Sequence, residues 1–137
     1  MAEDRAVVWE TWAARYARIA LGAAFLSAVA GRFGLWSGHF DWDRFVRFIE
    51  RTRTLNAFMP SAAIPFLAWA ATILETTFAV ALIAGVHVRW AALGSALLLA
   101  WFGTAMAIFD GPKAPLDYSV FSASAAALLL ALRERQR

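Results

Sequence analysis

The stretch that decides the fold is "IPFLAWAATILETTFAVALIAG", residues 64–85, an apolar run with one formally charged residue, Glu75, near its centre. A helix of about 20 such residues, rising 1.5 Å per residue, crosses the hydrocarbon core of a bilayer. A charged side chain at that depth costs about 2.5–3.5 kcal/mol on insertion scales, so it normally faces other protein segments or a cavity. The stretch therefore predicts a membrane helix whose carboxylate points into a helix bundle.

The composition of the whole chain agrees with a membrane location. The chain has 137 residues, of which 61% are hydrophobic and 17% charged, whereas soluble domains are about 45–50% apolar and about 25% charged. A soluble domain of this size would leave too much apolar surface in water. The formal net charge is only +3, and the basic residues cluster at segment ends, which suits lipid headgroups and argues against a nucleic-acid partner. The sequence predicts one integral membrane domain over residues 1–137, with the lipid bilayer as its partner.

Four apolar segments are candidates for membrane spans, at about residues 16–36, 64–85, 88–109 and 116–132. The short connections "GVHVR" and "DGPKAP" predict that the last three spans are antiparallel neighbours, because glycine and proline interrupt helices there. The predicted fold class is all-α, a four-transmembrane-helix bundle. The basic tail "RERQR" favours cytoplasmic termini under the positive-inside rule, although basic residues are divided almost equally between the two sides.

The connection between the first two spans contains a separate amphipathic pattern, "DWDRFVRFIERTR" at residues 41–53. Its charged residues fall on one helical face and its apolar residues on the other, as in helices that lie in the membrane interface. Asp41 stands where an N-cap is expected. The pattern predicts an amphipathic interfacial helix between spans one and two, and a solvated helix that covers the end of the bundle is the alternative. The apolar face comprises Trp42, Phe45, Val46 and Ile49.

The surroundings of Glu75 can be predicted from helical spacing. On the second span Glu75 shares a face with mostly small residues, which suit close helix packing: Ala68, Ala71, Thr72, Ala79 and Leu82. The first span has a stripe of Ala20, Ala24, Ala28 and then Arg32, each four residues apart. We expect this stripe to pack on the face of Glu75. The helical rise places Arg32 and Glu75 at depths that differ by about 10 Å, which predicts a direct or water-mediated pair.

The candidate site residues follow from this pair. Glu75 would accept or shuttle a proton, and Arg32 would set its pKa and polarise a ligand carbonyl, because intramembrane charges commonly mark proton, ion or ligand sites. Two structural explanations compete with this hypothesis. Glu75 could be protonated and hydrogen-bonded to a neighbour, or the pair could fix the register of the helices. The candidates for contact with a ring-shaped cofactor are Trp69, Thr72, Phe78 and Trp101, with Phe102 beside them.

The polar residues exclude several kinds of redox site. There is no cysteine, so no disulfide, iron–sulfur cluster or thiolate metal site is expected. The two histidines, His39 and His87, fall in successive connections on opposite sides of the membrane and cannot ligate one haem. No metal-ligand, phosphate-loop or catalytic-triad motif is present. We therefore predict no metal and no covalently bound cofactor, and the carrier would be a diffusible ligand such as a quinone, or another subunit.

Three stretches resemble the DoxX family of small four-helix membrane proteins: "LGAAFLSAVAGRFGLW", "ATILETTFAVALIAGVHVRWAAL" and "GPKAPLDYSVFSASAAALLLAL". The acidic residue of span two matches Glu75, the basic residue before span three matches Arg89, and the basic residue that closes span one matches Arg32. The resemblance implies a four-helix bundle with cytoplasmic termini in a bacterial or archaeal inner membrane. It also implies redox partner subunits, because the family is named after a subunit of a quinone-linked thiosulfate-oxidising complex.

Three hypotheses for the function remain at this point. The first is an accessory inner-membrane subunit that contributes a quinone-type or proton-relay pocket to a redox process. The second is a structural or scaffold membrane protein without chemistry of its own. The third is a small-solute transporter that works as a homo-oligomer, because four spans alone rarely enclose a translocation path. The sequence leaves open whether the chain is an enzyme.

Overall fold

The computed structural model describes all 137 residues, and it contains helices without any strand. The all-α class is therefore confirmed. Two short 3-10 turns, Leu35–Ser37 and Ser61–Ala63, separate the longer elements. The six helices are α1 (Ala2–Arg32), α2 (Trp42–Leu55), α3 (Ile64–Ala84), α4 (Val88–Phe109), α5 (Lys113–Asp117) and α6 (Val120–Gln136).

Three helical segments are long and apolar enough to cross a membrane: Ala2–Arg32, Ser61–Ala84 and Val88–Phe109. The predicted fourth span, 116–132, is divided in the structure. Helix α5 ends at Asp117 and α6 begins at Val120, because Ser119 adopts a left-handed conformation with φ of 55°. With 17 residues α6 is shorter than the other three, so the structure supports three candidate spans, and the count of four stays a prediction.

Helix α1 is longer than the predicted first span and has different ends. It begins at Ala2 and ends at Arg32, after which Gly34, with φ of 77°, reverses the chain. Trp36 lies outside the helix, and its indole nitrogen donates a hydrogen bond back to the carbonyl of Ser27 at 3.2 Å. The 31 residues extend over about 46 Å at 1.5 Å per residue. This exceeds a hydrocarbon core of about 30 Å, so α1 is long enough to project beyond it.

The helices form two closely packed pairs, α1 with α3 and α4 with α6, which are joined mainly through α3 and α4. Gly22 permits the close approach of α1 to α3, since a Cβ there would lie 2.6 Å from Ile83 Cγ1 and 3.0 Å from the carbonyl oxygen of Ala79. Between α3 and α4, Gly94 leaves room for the ring of Phe78, which a Cβ would meet at 2.4 Å. Backbone approach at glycine therefore sets the helix spacing on both sides of α3.

The predicted packing face is confirmed for the second span, α3, and is wrong for the first span, α1. The small-residue face of α3 is confirmed, because all six of its predicted members are buried. The stripe on α1 does not pack on that face. Ala20, Ala24 and Ala28 are exposed, while Leu21 and Phe25 occupy the interior of the bundle. The larger side chains bury more apolar surface, and Ala24 and Ala28 face a cavity instead.

Helix α2 matches the predicted amphipathic segment, and Asp41 is its N-cap, accepting a hydrogen bond from the Asp43 amide at 3.0 Å. Its apolar face packs across the end of the bundle. Phe45 is fully buried, with ring centroids 4.9 Å from Phe33 and 4.5 Å from Trp69. Burial of these rings stabilises the contact between α2 and the longer helices. The location of α2 in the membrane interface stays a prediction.

Candidate functional site

The two charged residues of the spans meet directly. Arg32, the last residue of α1, extends its guanidinium to Glu75 in the middle of α3. Its Nη2 donates to Oε1 at 2.9 Å, and its Nη1 lies 2.5 Å from Oε2. The side chains are 11% and 3% exposed, respectively. The predicted Arg32–Glu75 pair is therefore present, and the two extended side chains close the gap in depth by direct contact.

Two further groups hold the guanidinium of Arg32. Its Nη1 donates a hydrogen bond to the Thr72 hydroxyl at 3.2 Å, and that hydroxyl donates to the carbonyl of Ala68 at 2.9 Å. On the other side, the Phe48 ring of α2 lies against the guanidinium, with 3.9 Å between the ring centroid and Arg32 Cζ. A cation over an aromatic face is stabilised by the quadrupole of the ring. The site therefore joins α1, α2 and α3.

Glu75 Oε2 retains unused capacity to accept a hydrogen bond. It is the only buried side-chain nitrogen or oxygen without a hydrogen-bond partner. Arg32 Nη1 is close enough to attract it as a charge, but its N–H bonds do not point at Oε2 with hydrogen-bond geometry. An ionised carboxylate can accept about four hydrogen bonds, so Oε2, although paired as a charge with Arg32 Nη1, keeps the capacity to accept a further hydrogen bond.

This pair lines an apolar cavity of about 380 Å³. Of its 14 lining residues, 12 are hydrophobic, and Arg32 and Glu75 are the two exceptions. Ligand cavities usually measure about 300–1,000 Å³ and combine apolar walls with a few polar groups. The cavity therefore suits a small apolar molecule with one polar end. The walls come from α1, α2, α4 and the start of α6, and include Phe25, Ala28, Phe48, Leu99, Phe102 and Tyr118.

The predicted ring-binding residues do not converge on this cavity. Thr72 contacts Arg32, but Trp69 packs in the aromatic cluster with Phe45. Phe78 fills the space over Gly94. Trp101 lines a different cavity of about 450 Å³. Of the aromatic candidates only Phe102 lines the cavity at Glu75, so the structure does not form the single flat pocket that the sequence suggested.

Sequence reasoning missed two contacts beside the cavity. Phe48 lies at the border of the apolar face of α2, and that border position was the only available signal. Arg51, about one turn further along α2, forms an ion pair with Asp110 at the end of α4. The hydrogen bond and charge of Arg51 hold the pKa of Asp110 below its ordinary value, and the hydrogen bond to Asp110 raises the pKa of Arg51. No local pattern connects two residues so far apart in sequence.

The comparison with known families overturns the resemblance to DoxX. The model of the family described as "Methylamine utilisation protein MauE" matches residues 10–115, a range that includes both Arg32 and Glu75. MauE is a different membrane family from DoxX. The stretches that carried the resemblance consist mostly of small and apolar residues, which many membrane helices share. No curated protein and no solved structure matches the chain. Because the family model covers most of the sequence, the chain belongs to the MauE family.

Proposed function

We propose that this chain is an accessory membrane protein of methylamine utilisation that binds a quinol-type ligand in the cavity at Glu75. The family description supplies the physiological setting, and the proteins of that system are the proposed partners. The site supplies the ligand class. The observation that carries the proposal is an apolar cavity lined by the buried carboxylate of Glu75, whose Oε2 forms an ion pair with Arg32 but accepts no hydrogen bond.

The charge of the site favours a neutral ligand. Arg32 and Glu75 neutralise each other at the end of the cavity, and an ionised ligand would have to lose its hydration without a free counter-charge. A neutral ring with a hydroxyl group avoids that cost. The apolar walls would bury the ring, and the hydroxyl would remain the only group that requires a polar partner.

The acceptor character of Oε2 distinguishes between the two redox states of such a ligand. Oε2 is an acceptor, so it needs an O–H or N–H donor. A quinol presents hydroxyl groups, whereas a quinone presents only carbonyl oxygens, which the carboxylate would repel. The proposal therefore assigns Glu75 to the recognition of the reduced form, and Arg32 to holding the carboxylate in place.

The test is the binding of decyl-benzoquinol and decyl-benzoquinone to the purified protein in a mild detergent. Glu75→Gln replaces a charged acceptor by a neutral one, which weakens the hydrogen bond by about 1–1.5 kcal/mol and the affinity for the quinol about tenfold. Glu50→Gln is the matched control, because Glu50 is an exposed residue of α2. We expect the quinol to bind more tightly than the quinone. Equal affinity of the wild type and Glu75→Gln, or no saturable binding, would refute the proposal.

One observation favours a structural function as the second candidate. Arg32 contacts Glu75, Thr72 and Phe48 at once, and a buried ionic group of this kind can fix the register of helices. In that case Glu75→Gln would lower the unfolding temperature in detergent and leave the binding of benzoquinol unchanged. The two functions are therefore separated by the same variant, through two different measurements.

The membrane topology is part of the proposal. We infer that α6 is a fourth span, because its 17 residues extend over about 26 Å, close to a hydrocarbon core of about 30 Å. Its buried residues pack on α4, and its last turn carries Arg133 and Arg135. Four spans would place both termini on one side, and the basic tail "RERQR" favours the cytoplasmic side of a bacterial or archaeal inner membrane.

A further inference from the structure

The interface between α1 and α6, called the joint below, is the least extensive of the four contacts between neighbouring long helices of the bundle. Each of these helices packs closely on a different partner, α1 on α3 and α6 on α4, and the two share far less contact with each other. The cavity at Glu75 lies at one end of this joint, where Ala24 of α1 and Ala123 of α6 line it. The joint therefore offers the least resistance to a molecule that enters from the bilayer.

A second cavity, of about 280 Å³, continues along the same joint. On α1 it is lined by Ala17, one helical turn from Leu21, which lines the cavity at Glu75. On α6 it is lined by Ala126, three residues from Ala123. Residues three and four apart in a helix lie on the same face. The two cavities therefore follow one another along a single line.

The length of the two consecutive cavities and their apolar lining suit a long hydrocarbon chain. From Arg32 to Ala13, which also lines the second cavity, the helical rise gives about 28 Å, close to the hydrocarbon thickness of a bilayer. Six of the eight residues of the second cavity are hydrophobic, and its two charged residues, Glu10 and Arg133, belong to the parts of α1 and α6 farthest from Arg32. A long apolar chain could follow the joint without meeting a charge in its middle.

We infer that the quinol-type ligand has a long isoprenoid or alkyl tail, which leaves the cavity at Glu75 and lies in the joint between α1 and α6. This inference rests on the proposed function. The cavity at Glu75, about 380 Å³, is near the lower limit of ligand cavities, so it holds a ring and only the first part of a tail. The rest of the tail must lie elsewhere, and the second cavity continues directly from the first.

The experiment uses a benzoquinol head joined to a long alkyl chain that carries a diazirine near its end. The full chain in lipid nanodiscs is irradiated with this probe, and mass spectrometry locates the labelled residues. We expect the labels to concentrate at Ala13–Ala17 of α1 and near Ala126 of α6, and an excess of decyl-benzoquinol to abolish them. Labels spread over the lipid-exposed faces of α3 and α4, or labelling that decyl-benzoquinol does not reduce, would overturn the inference.

A pair of variants separates the tail site, which is the second cavity, from the head site, which is the cavity at Glu75. Ala126→Leu fills the second cavity, whereas Ala125→Leu adds the same group at an exposed neighbouring position that lines none of the described cavities. The added carbon atoms occupy the space proposed for the tail, so Ala126→Leu should reduce labelling in the joint about fivefold, which corresponds to about 1 kcal/mol. Neither variant should change the affinity for a benzoquinol without a tail, which occupies the cavity at Glu75 alone. Equal labelling of the two variants would refute the tail site alone, and failure of the wild type to bind this tailless benzoquinol would refute the head site.

Discussion

The Arg32–Glu75 pair can be dissected with a double-mutant cycle that replaces both residues by apolar ones of similar size. Arg32→Met leaves the carboxylate buried without its counter-charge, and Glu75 is only 3% exposed. Loss of one partner from a buried pair costs about 3–5 kcal/mol, which corresponds to a decrease of roughly 10–20 °C in the unfolding temperature. Glu75→Leu should cost less, because the guanidinium keeps its contacts with Thr72 and Phe48.

The double variant, Arg32→Met with Glu75→Leu, should recover most of the lost stability. Replacement of a buried ion pair by apolar residues is often neutral or stabilising by about 1–4 kcal/mol, so we expect its unfolding temperature to be near that of the wild type. Thermal unfolding in one mild detergent, followed by circular dichroism, measures all four proteins. If the two single losses simply added in the double variant, the residues would not be energetically coupled, and our description of the site would be wrong. A stable double variant that no longer binds decyl-benzoquinol would support a function in ligand binding.

Three other predictions concern an ion pair, the helix packing and the membrane topology around the site. Arg51 holds the pKa of Asp110 low, so the stabilisation by this pair should be complete above the ordinary pKa of aspartate, about 3.9. It should disappear as the pH falls through the lowered pKa. Asp110→Asn should remove this part of the acid sensitivity of the unfolding temperature, and an unchanged pH profile would contradict the prediction. Gly22→Ala should push α1 from α3 and cost about 1–3 kcal/mol, whereas Gly31→Ala, whose added Cβ meets only one atom at 3.9 Å, should be neutral or stabilising in the same thermal assay. The natural chain has no cysteine, so single cysteines placed at its two ends should react with an impermeant maleimide from the same side of sealed vesicles, and reaction from opposite sides would exclude four spans.

The parts of the structure that were predicted correctly are those in which one helix carries its own pattern. The buried face of α3 follows from a period of 3.6 residues and the single charge at Glu75. Helix α2 follows from its alternation of apolar and charged faces and from Asp41 at its start. The Arg32–Glu75 contact was predicted from the similar depths of the two residues and from the stripe that ends at Arg32; the contact is present although the stripe itself does not pack on α3, because two charges within apolar spans have few other partners.

The parts that sequence reasoning did not reach depend on which helices are neighbours. The stripe of Ala24 and Ala28 was assigned to the wrong side of α1, since spacing gives the face of a helix but not the direction in which it points. The contact of Phe48 with Arg32 requires α2 to fold back over the bundle. A glycine would have indicated a left-handed backbone, but position 119 is a serine, which rarely adopts that conformation. The division between α5 and α6 was therefore not predicted. The family assignment failed for a similar reason, because small apolar residues distinguish membrane families poorly.

The contact between Phe48 and Arg32 connects helix α2, at the end of the bundle, to the buried carboxylate of Glu75. Phe48 lies on an amphipathic helix, and the guanidinium that it touches reaches to the middle of α3. Any displacement of α2 parallel to the bilayer would therefore be transmitted through a single side chain to a carboxylate that lies about 16 Å from the start of its helix. Substitutions on α2 that displace Phe48 should for that reason also perturb the buried carboxylate of Glu75.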